Sequence, residues 1–420
     1  MSIGVVLGLR DSSSSGHALS LQMSMLWNSV GSFAYLLCTW AITVLVVVLS
    51  TNLSDSGILA TAMAVGNIVA TIVLFLVRPL QVASSIAHVE TSDYVGMRFS
   101  SSFVAIVFAF LYSLATVESS ALFPVALYSL FKIVESFADV YYGVEQRFNR
   151  LDLVGISQLI KGPCVLFSFA ACMTLTKQLA FGILGMTVSS ALVCLLFDMP
   201  NARKYDDVRP RFAVRTIVRL FKACLPGLLA SLFTTAVVSL SRQVFGLRFG
   251  NEALGLYAAV STPTAVIQAL ATYIYSPLFG LIGDSYRNGE GRKIISTLRR
   301  FCLVLIALVA ISVVLSLMFG KFALGLVYGA EVAAAWRILP GVLVCTGITA
   351  ALNFYIDVLV IIRNVRGSIA VGLASLITCL LLIVTVLNAD MNSISFCIGL
   401  SFGVGMLIAT ALIRMQLKHE

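Results

Sequence analysis

The sequence predicts an all-α integral membrane protein: twelve transmembrane helices in two six-helix bundles related by a pseudo-two-fold axis along the membrane normal, with a central cavity. Three observations carry that expectation. The 420 residues are 59% apolar and only 11% charged, whereas a soluble domain is about 45 to 50% apolar and about 25% charged. A span needs about 20 apolar residues, and windows of that kind fall near 26-49, 57-80, 99-117, 120-142, 153-175, 178-198, 223-243, 254-282, 300-319, 334-362, 366-387 and 392-414. Lys and Arg concentrate in alternate connections, and the densest basic run separates the windows six from six. The composition excludes a soluble, disordered or nucleic-acid-binding protein.

Residues 1-25 form an N-terminal segment with a serine tract at 12-15 and no A-x-A cleavage site, so the first window reads as a permanent helix and not a signal peptide. The N-terminal half is then 26-198, a basic linker 199-222, the C-terminal half 223-414 and the tail 415-420. Basic connections stay in the cytoplasm. With the N-terminus inside, twenty-one of the 28 Lys and Arg lie on the cytoplasmic side, five on the other and two, Lys132 and Lys161, within spans. Both termini are therefore expected in the cytoplasm. The seven basic residues between 203 and 222 read as a linker touching anionic lipid, so the net charge of +9 needs no acidic ligand.

The halves carry a weak repeat. Ser54-Asp55-Ser56-Gly57-Ile58-Leu59-Ala60 corresponds to Gly250-Asn251-Glu252-Ala253-Leu254-Gly255-Leu256, and Pro79 and Pro277 close the second and eighth windows at nearly the same offset. Six is even, so the halves share orientation, as in parallel-repeat transporters with a substrate site between the halves.

Polar residues in hydrocarbon mark the face turned from lipid. Asn28, Ser32, Tyr35, Thr39 and Thr43 form one stripe of the first helix; Asn67, Thr71, Arg78, Gln81 and Ser85 one of the second; Tyr128, Lys132, Glu135, Asp139 and Tyr142 one of the fourth. Ser261, Thr264, Gln268 and Tyr275 mark the eighth, and Thr346, Thr349, Asn353 and Asp357 the tenth. The third, sixth, ninth and twelfth windows carry few such groups and are expected to face lipid. Single hydroxyls can be explained by hydrogen bonds across helix contacts, but five stripes holding ionisable and amide groups point to a hydrated cavity.

Lys132 lies about 18 Å into its helix, too deep to snorkel easily, with Glu135 at i+3 and Asp139 four further. It reads either as a buried ion pair or as a cation for an anionic substrate with a carboxylate as counter-ion. Lys161, before Gly162-Pro163, lies about 12 Å deep at an expected helix break. Arg78 and Arg242 read as interfacial anchors or as cavity cations. Asp357, the one acidic residue within the C-terminal windows, is either a coupling site or a counter-ion to Arg363 or Arg337. The nine cysteines sit singly in apolar runs and the three histidines are scattered, so neither a metal site nor a cofactor is expected. No P-loop motif is present.

Trp27-Asn28-Ser29-Val30-Gly31-Ser32, Val77-Arg78-Pro79-Leu80-Gln81-Val82 with Ser92-Asp93-Tyr94-Val95-Gly96-Met97-Arg98, and Leu130-Phe131-Lys132-Ile133-Val134-Glu135 running to Arg150-Leu151-Asp152 resemble the polysaccharide transporter family. Gly250 to Tyr257 and Leu326-Val327-Tyr328-Gly329 add to the resemblance, which covers most of 26-365. It implies a superfamily that includes multidrug exporters and lipid II flippases. It also implies alternating-access movement of undecaprenyl-diphosphate-linked sugar repeat units to the outer leaflet of a bacterial cell membrane, for capsule, O-antigen or other cell-surface polysaccharide. The implied partners are the lipid-linked oligosaccharide, membrane lipids, a polysaccharide polymerase and glycosyltransferases. By motif position Arg78, Lys132 and Arg242 would meet the diphosphate, with Lys161 added for its depth. Asn28, Ser32, Tyr35, Asn67, Gln81, Gln268 and Asn353 would meet sugars, and Glu135, Asp139 and Asp357 would serve as counter-ions or couple a proton or sodium gradient. The alternatives are an ion-coupled multidrug exporter of the same fold, a membrane polysaccharide polymerase, for which the connections opposite the basic side are short, and a scaffold, which needs no ionisable residues in spans.

Overall fold

The computed structural model describes residues 21-50, 54-75, 77-83, 89-275 and 278-417. Pro277, Ser85, the three histidines, Arg10, Lys418 and most of the N-terminal segment lie outside them. The N-terminal half contains α1 (Leu21–Leu49), α2 (Ser54–Leu74), α3 (Val77–Ala83), α4 (Thr91–Thr116), α5 (Leu122–Arg147), α6 (Leu151–Thr176), α7 (Leu179–Val193) and α8 (Met199–Ala202), the last two joined by a π-helical turn at Cys194–Asp198. The C-terminal half contains α9 (Val214–Phe249), α10 (Asn251–Ser261), α11 (Ala265–Tyr275), α12 (Leu278–Arg287), α13 (Gly291–Tyr328), α14 (Ala330–Ala334), α15 (Leu339–Ile361), α16 (Val365–Thr385) and α17 (Asn392–Gln416). Eleven described helical segments are long and apolar enough to cross a membrane. The remaining window, α5, carries Lys132, Glu135, Asp139 and Glu145.

The packing repeats. α1 lies on α6 as α9 lies on α16; α6 on α7 as α16 on α17; α5 on α4 and α7 as α15 on α13 and α17. The turns after α5 and α15 share one hydrogen-bond pattern, Arg150 N to Glu145 O and Asn364 N to Leu359 O, both 2.8 Å, around left-handed Asn149 and Arg363. The second window breaks into α2 and α3 at Phe75, whose φ is 49°, and the eighth into α10, a 3₁₀ turn, α11 and α12. A one-helix phase for Asn67, Thr71, Arg78 and Gln81 therefore does not hold.

Other expectations change as well. α6 runs unbroken through Pro163, so the expected helix break beside Lys161 is absent, and Pro163 withholds only the one N–H that would meet the Leu159 carbonyl. α9 starts at Val214, and its first turns belong to the other half's packing: Leu220, Cys224 and Leu228 cluster with Phe75, Val77, Tyr94 and Met97. The connection from 203 to 213 is strapped to the N-terminal half by Arg211 N to Ser92 O (3.0 Å) and Thr91 Oγ1 to Asp206 Oδ2 (2.6 Å), while Arg203, Lys204, Arg209, Arg215 and Lys222 stay exposed. α4 and α13 present exposed apolar faces, as with Phe103, Phe110, Leu315 and Met318. α7 and α17 likewise leave apolar side chains exposed, among them Val188, Leu192, Leu400 and Leu407, while burying Gly182, Met186 and Ser190, and Ser401, Phe402 and Gly405 on their other faces. Small residues let helices approach closely in a membrane, a property hydropathy does not register.

The halves meet at the end bearing the short connections. Ser56 Oγ donates to Gly255 O at 3.3 Å, Asn251 Nδ2 to Glu118 Oε2 at 3.2 Å and Tyr112 OH to Gln243 Oε1 at 2.9 Å. Gly57 sits on the Asn251 backbone with no room for a Cβ. Gly31 of α1 likewise lies against the backbone of Gly155 in α6, and this contact fixes the helix that carries Tyr35. Replacing Gly31 by Val is expected to cost about 1 to 3 kcal/mol through overpacking, read as a lower melting midpoint in detergent. Gly403→Ala, where nothing approaches within 4 Å, should leave the midpoint unchanged or raise it.

Candidate functional site

A cavity of about 520 Å³ lies between the halves, with Ser32, Tyr35, Thr39, Asn67, Tyr128 and Lys132 in its wall. Gln158 and Met186 extend it on the N-terminal side, while Ala269 and Thr272 are the residues of the C-terminal half in the lining. The polar stripes of α1 and α5 thus converge, and Gly66 makes room for the ring of Tyr128 beneath them.

Lys132 Nζ donates to Glu135 Oε2 at 2.7 Å and lies 5.6 Å from the Tyr128 ring centre and 5.2 Å from that of Phe131. The same Glu135 accepts a hydrogen bond from the Tyr35 hydroxyl of α1. Its carboxylate is therefore held from two helices, and the ammonium rests among aromatic faces at the cavity wall.

Two turns along α5, Asp139 is shared by two guanidinium groups: Arg78 Nη1 at 3.2 Å and Arg98 Nη2 at 3.0 Å, one on each carboxylate oxygen. Arg78 also reaches Gln146 Oε1 at 3.1 Å. Arg98 is fully buried and donates to the carbonyl of Val73, just before the break at Phe75, where Ser101 Oγ also binds at 2.9 Å. Carbonyls left by the helix break are thus satisfied from α4, and α3 is set so that Arg78 faces α5. Gln81, on the same short helix, is buried against Gly143 and donates to Val140 O at 3.1 Å, away from the cavity wall.

Lys161 is buried outside the cavity lining. Its Nζ meets Tyr142 OH at 2.9 Å and Asp198 Oδ2 at 3.3 Å, and Ser157 Oγ donates to the other Asp198 oxygen. The π-helical turn at 194–198 aims Asp198 into the bundle, a local irregularity that often serves such a purpose. The remaining candidates stand apart. Asn28 is half-buried where α1 crosses Gly155, Gln268 lies one turn from Thr272 with its carbonyl accepting from that hydroxyl, and Asn353 is half-buried on α15. Arg242 lies 5.9 Å from the Tyr257 ring. Asp357 is half-buried on α15 and makes no ion pair with Arg363, Arg337 or any other described residue.

Arg98 and Asp198 are the partners that hydropathy windows hid, because each charge trims its own window. The signal for Arg98 was local: Glu90 and Asp93 close a capping box that starts α4 at Thr91, well before the apolar run. Among the described residues no group of His, Cys, Asp and Glu could hold a metal ion.

No family model matches the sequence. A capsular polysaccharide biosynthesis protein, CapF, of Staphylococcus aureus is 22% identical over 271 residues, 63% of this chain and 68% of the relative. An inward-facing multidrug resistance MATE family transporter of the MOP superfamily superposes with a TM-score of 0.69 at 13% identity, over 94% of this chain and 99% of that one. The lipid II flippase MurJ in an inward closed conformation gives a TM-score of 0.71 at 9% identity, over 93% and 87%.

A buried ion pair broken on one side leaves an uncompensated charge, at about 3 to 5 kcal/mol. Lys161→Met should lose that much stability, and adding Asp198→Asn should recover most of it; denaturant or thermal unfolding of the three proteins checks the pairing. The all-helical, multi-pass chain has the fold shared by the multidrug transporters of the MOP superfamily and the lipid II flippase.

Proposed function

We propose that this protein is a flippase that carries undecaprenyl-diphosphate-linked oligosaccharide repeat units from the cytoplasmic to the outer leaflet of a bacterial cell membrane, for cell-surface polysaccharide assembly. The observation that carries the reading is the cation in the cavity wall: Lys132, 22% exposed, stands at mid-membrane depth with aromatic rings around it, and Arg78, 28% exposed on α3 outside the lining, is paired with Asp139 two turns along α5 from Lys132. A diphosphate leaving water exchanges hydration for fixed cations, and a low-dielectric cavity makes each one count for more. Amides and hydroxyls in the same wall, such as Asn67 and Ser32, suit sugars. The capsule relative agrees with this substrate class.

The orientation follows from charge. The connections at 148–150, 203–213, 288–290 and 362–364 lie at one end and, with the helix ends beside them, hold Arg147, Arg150, Arg203, Lys204, Arg209, Arg211, Arg287, Arg292, Lys293, Arg363 and Arg366, so that end, with both termini, would face the cytoplasm. The seam at Ser56, Gly57 and Asn251 then closes the outer end, which matches the inward states named for both solved neighbours. Rocking of the halves about that seam would alternate access, driven by a proton or sodium gradient through Asp357, a membrane carboxylate free of a counter-ion among the described residues. Glycosyltransferases would supply the substrate at the inner leaflet and a polymerase would consume it at the outer one.

In proteoliposomes, a fluorescent undecaprenyl-diphosphate oligosaccharide should cross only when the protein is present. Lys132→Ala and Arg78→Ala should each slow the initial rate at least about tenfold, the scale of one charge-assisted contact. Export of a cationic dye with no movement of the lipid would replace the flippase with a multidrug exporter.

A further inference from the structure

Two carboxylates of α5 each have two donors, one a flexible cation that is part-exposed and the other a group fixed by its surroundings. Glu135 takes Lys132 from the cavity wall and Tyr35 from α1. Asp139 takes Arg78, 28% exposed, on one oxygen and Arg98, wholly buried, on the other. The second donors, Tyr35 in the cavity wall and Arg98 buried behind Asp139, are tied down. Arg98 is also bonded to the Val73 carbonyl, and Tyr35 rides on a helix locked to α6 at Gly31 and Gly155, with Gly162 packed directly beneath its Cα. Neither can follow an incoming ligand.

An anion that binds Lys132 or Arg78 competes with the carboxylate for that cation's charge and remaining donors, and a carboxylate left under-compensated inside a membrane protein opposes the exchange. We propose that Tyr35 and Arg98 are reserve donors, which hold Glu135 and Asp139 while an anionic headgroup occupies Lys132 and Arg78. They act as positioning residues that make binding reversible, and touch the carboxylates in place of the substrate. The proposal rests on the diphosphate reading above and deepens it: the N-terminal half is built for counter-ion exchange at two stations, about 6 Å apart along α5. In the resting state Glu135 has Lys132 as well as Tyr35, so losing the hydroxyl matters most once the anion has taken the lysine. A purely structural tyrosine would not show that dependence.

Binding of undecaprenyl diphosphate to the full chain in nanodiscs tests this. The wild type should bind and Lys132→Ala should not. Tyr35→Phe should weaken binding about tenfold, the scale of one hydrogen bond to a charged group, with the melting midpoint unchanged. Adding Glu135→Gln to Tyr35→Phe should restore wild-type affinity, because the neutral amide no longer needs the reserve donor. Wild-type affinity in Tyr35→Phe alone, or an unrescued double variant, overturns the proposal while leaving the diphosphate reading standing. Absence of binding by the wild type, or equal binding by Lys132→Ala, overturns that reading and the proposal with it. The second station gives an independent check: Arg98→Gln should weaken binding, and Arg98→Gln with Asp139→Asn should recover it. A double variant that stays weak counts against the reserve role of Arg98.

Discussion

An ionised side chain placed in hydrocarbon is costly unless another side chain or cavity water compensates it. Most of the N-terminal half can be understood as the answer to that constraint along α5. Its Lys132 and Glu135 neutralise each other at i+3, Asp139 draws Arg78 from α3 and Arg98 from α4, and Lys161 of α6 joins Tyr142 of α5 to Asp198 at the end of the π-helical turn after α7. Helices that hydropathy treats as independent spans are thereby fixed in rotation and depth. The break at Phe75 belongs to the same scheme, since it turns Arg78 toward α5 while Arg98 takes up the carbonyl of Val73.

The two halves share a packing frame and differ in chemistry. Corresponding helices meet in the same pairs, yet the cavity draws its charge from one half, and the other contributes Ala269 and Thr272. Arg242 and Asp357 stand in the C-terminal half without an opposite charge beside them among the described residues. Under the proposed function, polar groups concentrated on one half would let a bulky headgroup hold to one wall while the opposite wall moves past it.

Composition and window counting were enough for the membrane class and the number of windows, because both depend on totals that no single contact can alter. The stripes on α1 and α5 were legible for a related reason: 3.6-residue periodicity survives wherever a helix is continuous, so Tyr35, Lys132 and Glu135 come together as their phases suggest. The second window was not continuous, and there the phase failed for Gln81. Lys161 was placed by depth alone, and depth does not say which neighbour a π-helical turn will bring to it. Arg98 was counted with the connections because a hydropathy window stops at a charge, although the residues that begin its helix are written in Glu90 and Asp93. Packing through small residues, as on α7 and α17, leaves no mark on an apolar average.

The paired turns after α5 and α15 keep the same backbone hydrogen bonds although their sequences share almost nothing, Asn149 standing in one and Arg363 in the other. The same closure ends α12 at Gly289, so it is a general way to end a helix; it is the repeated helix packing that fits duplication of an ancestral six-helix chain. Such a chain inserts with both ends on one side, so two copies could pair side by side as a symmetric homodimer without either one inverting. Fusing them requires only a connecting segment on that side, the place now filled by the strap at 203–213. On this history the charged wall is an asymmetry acquired after fusion, which a symmetric dimer could not have kept to one subunit.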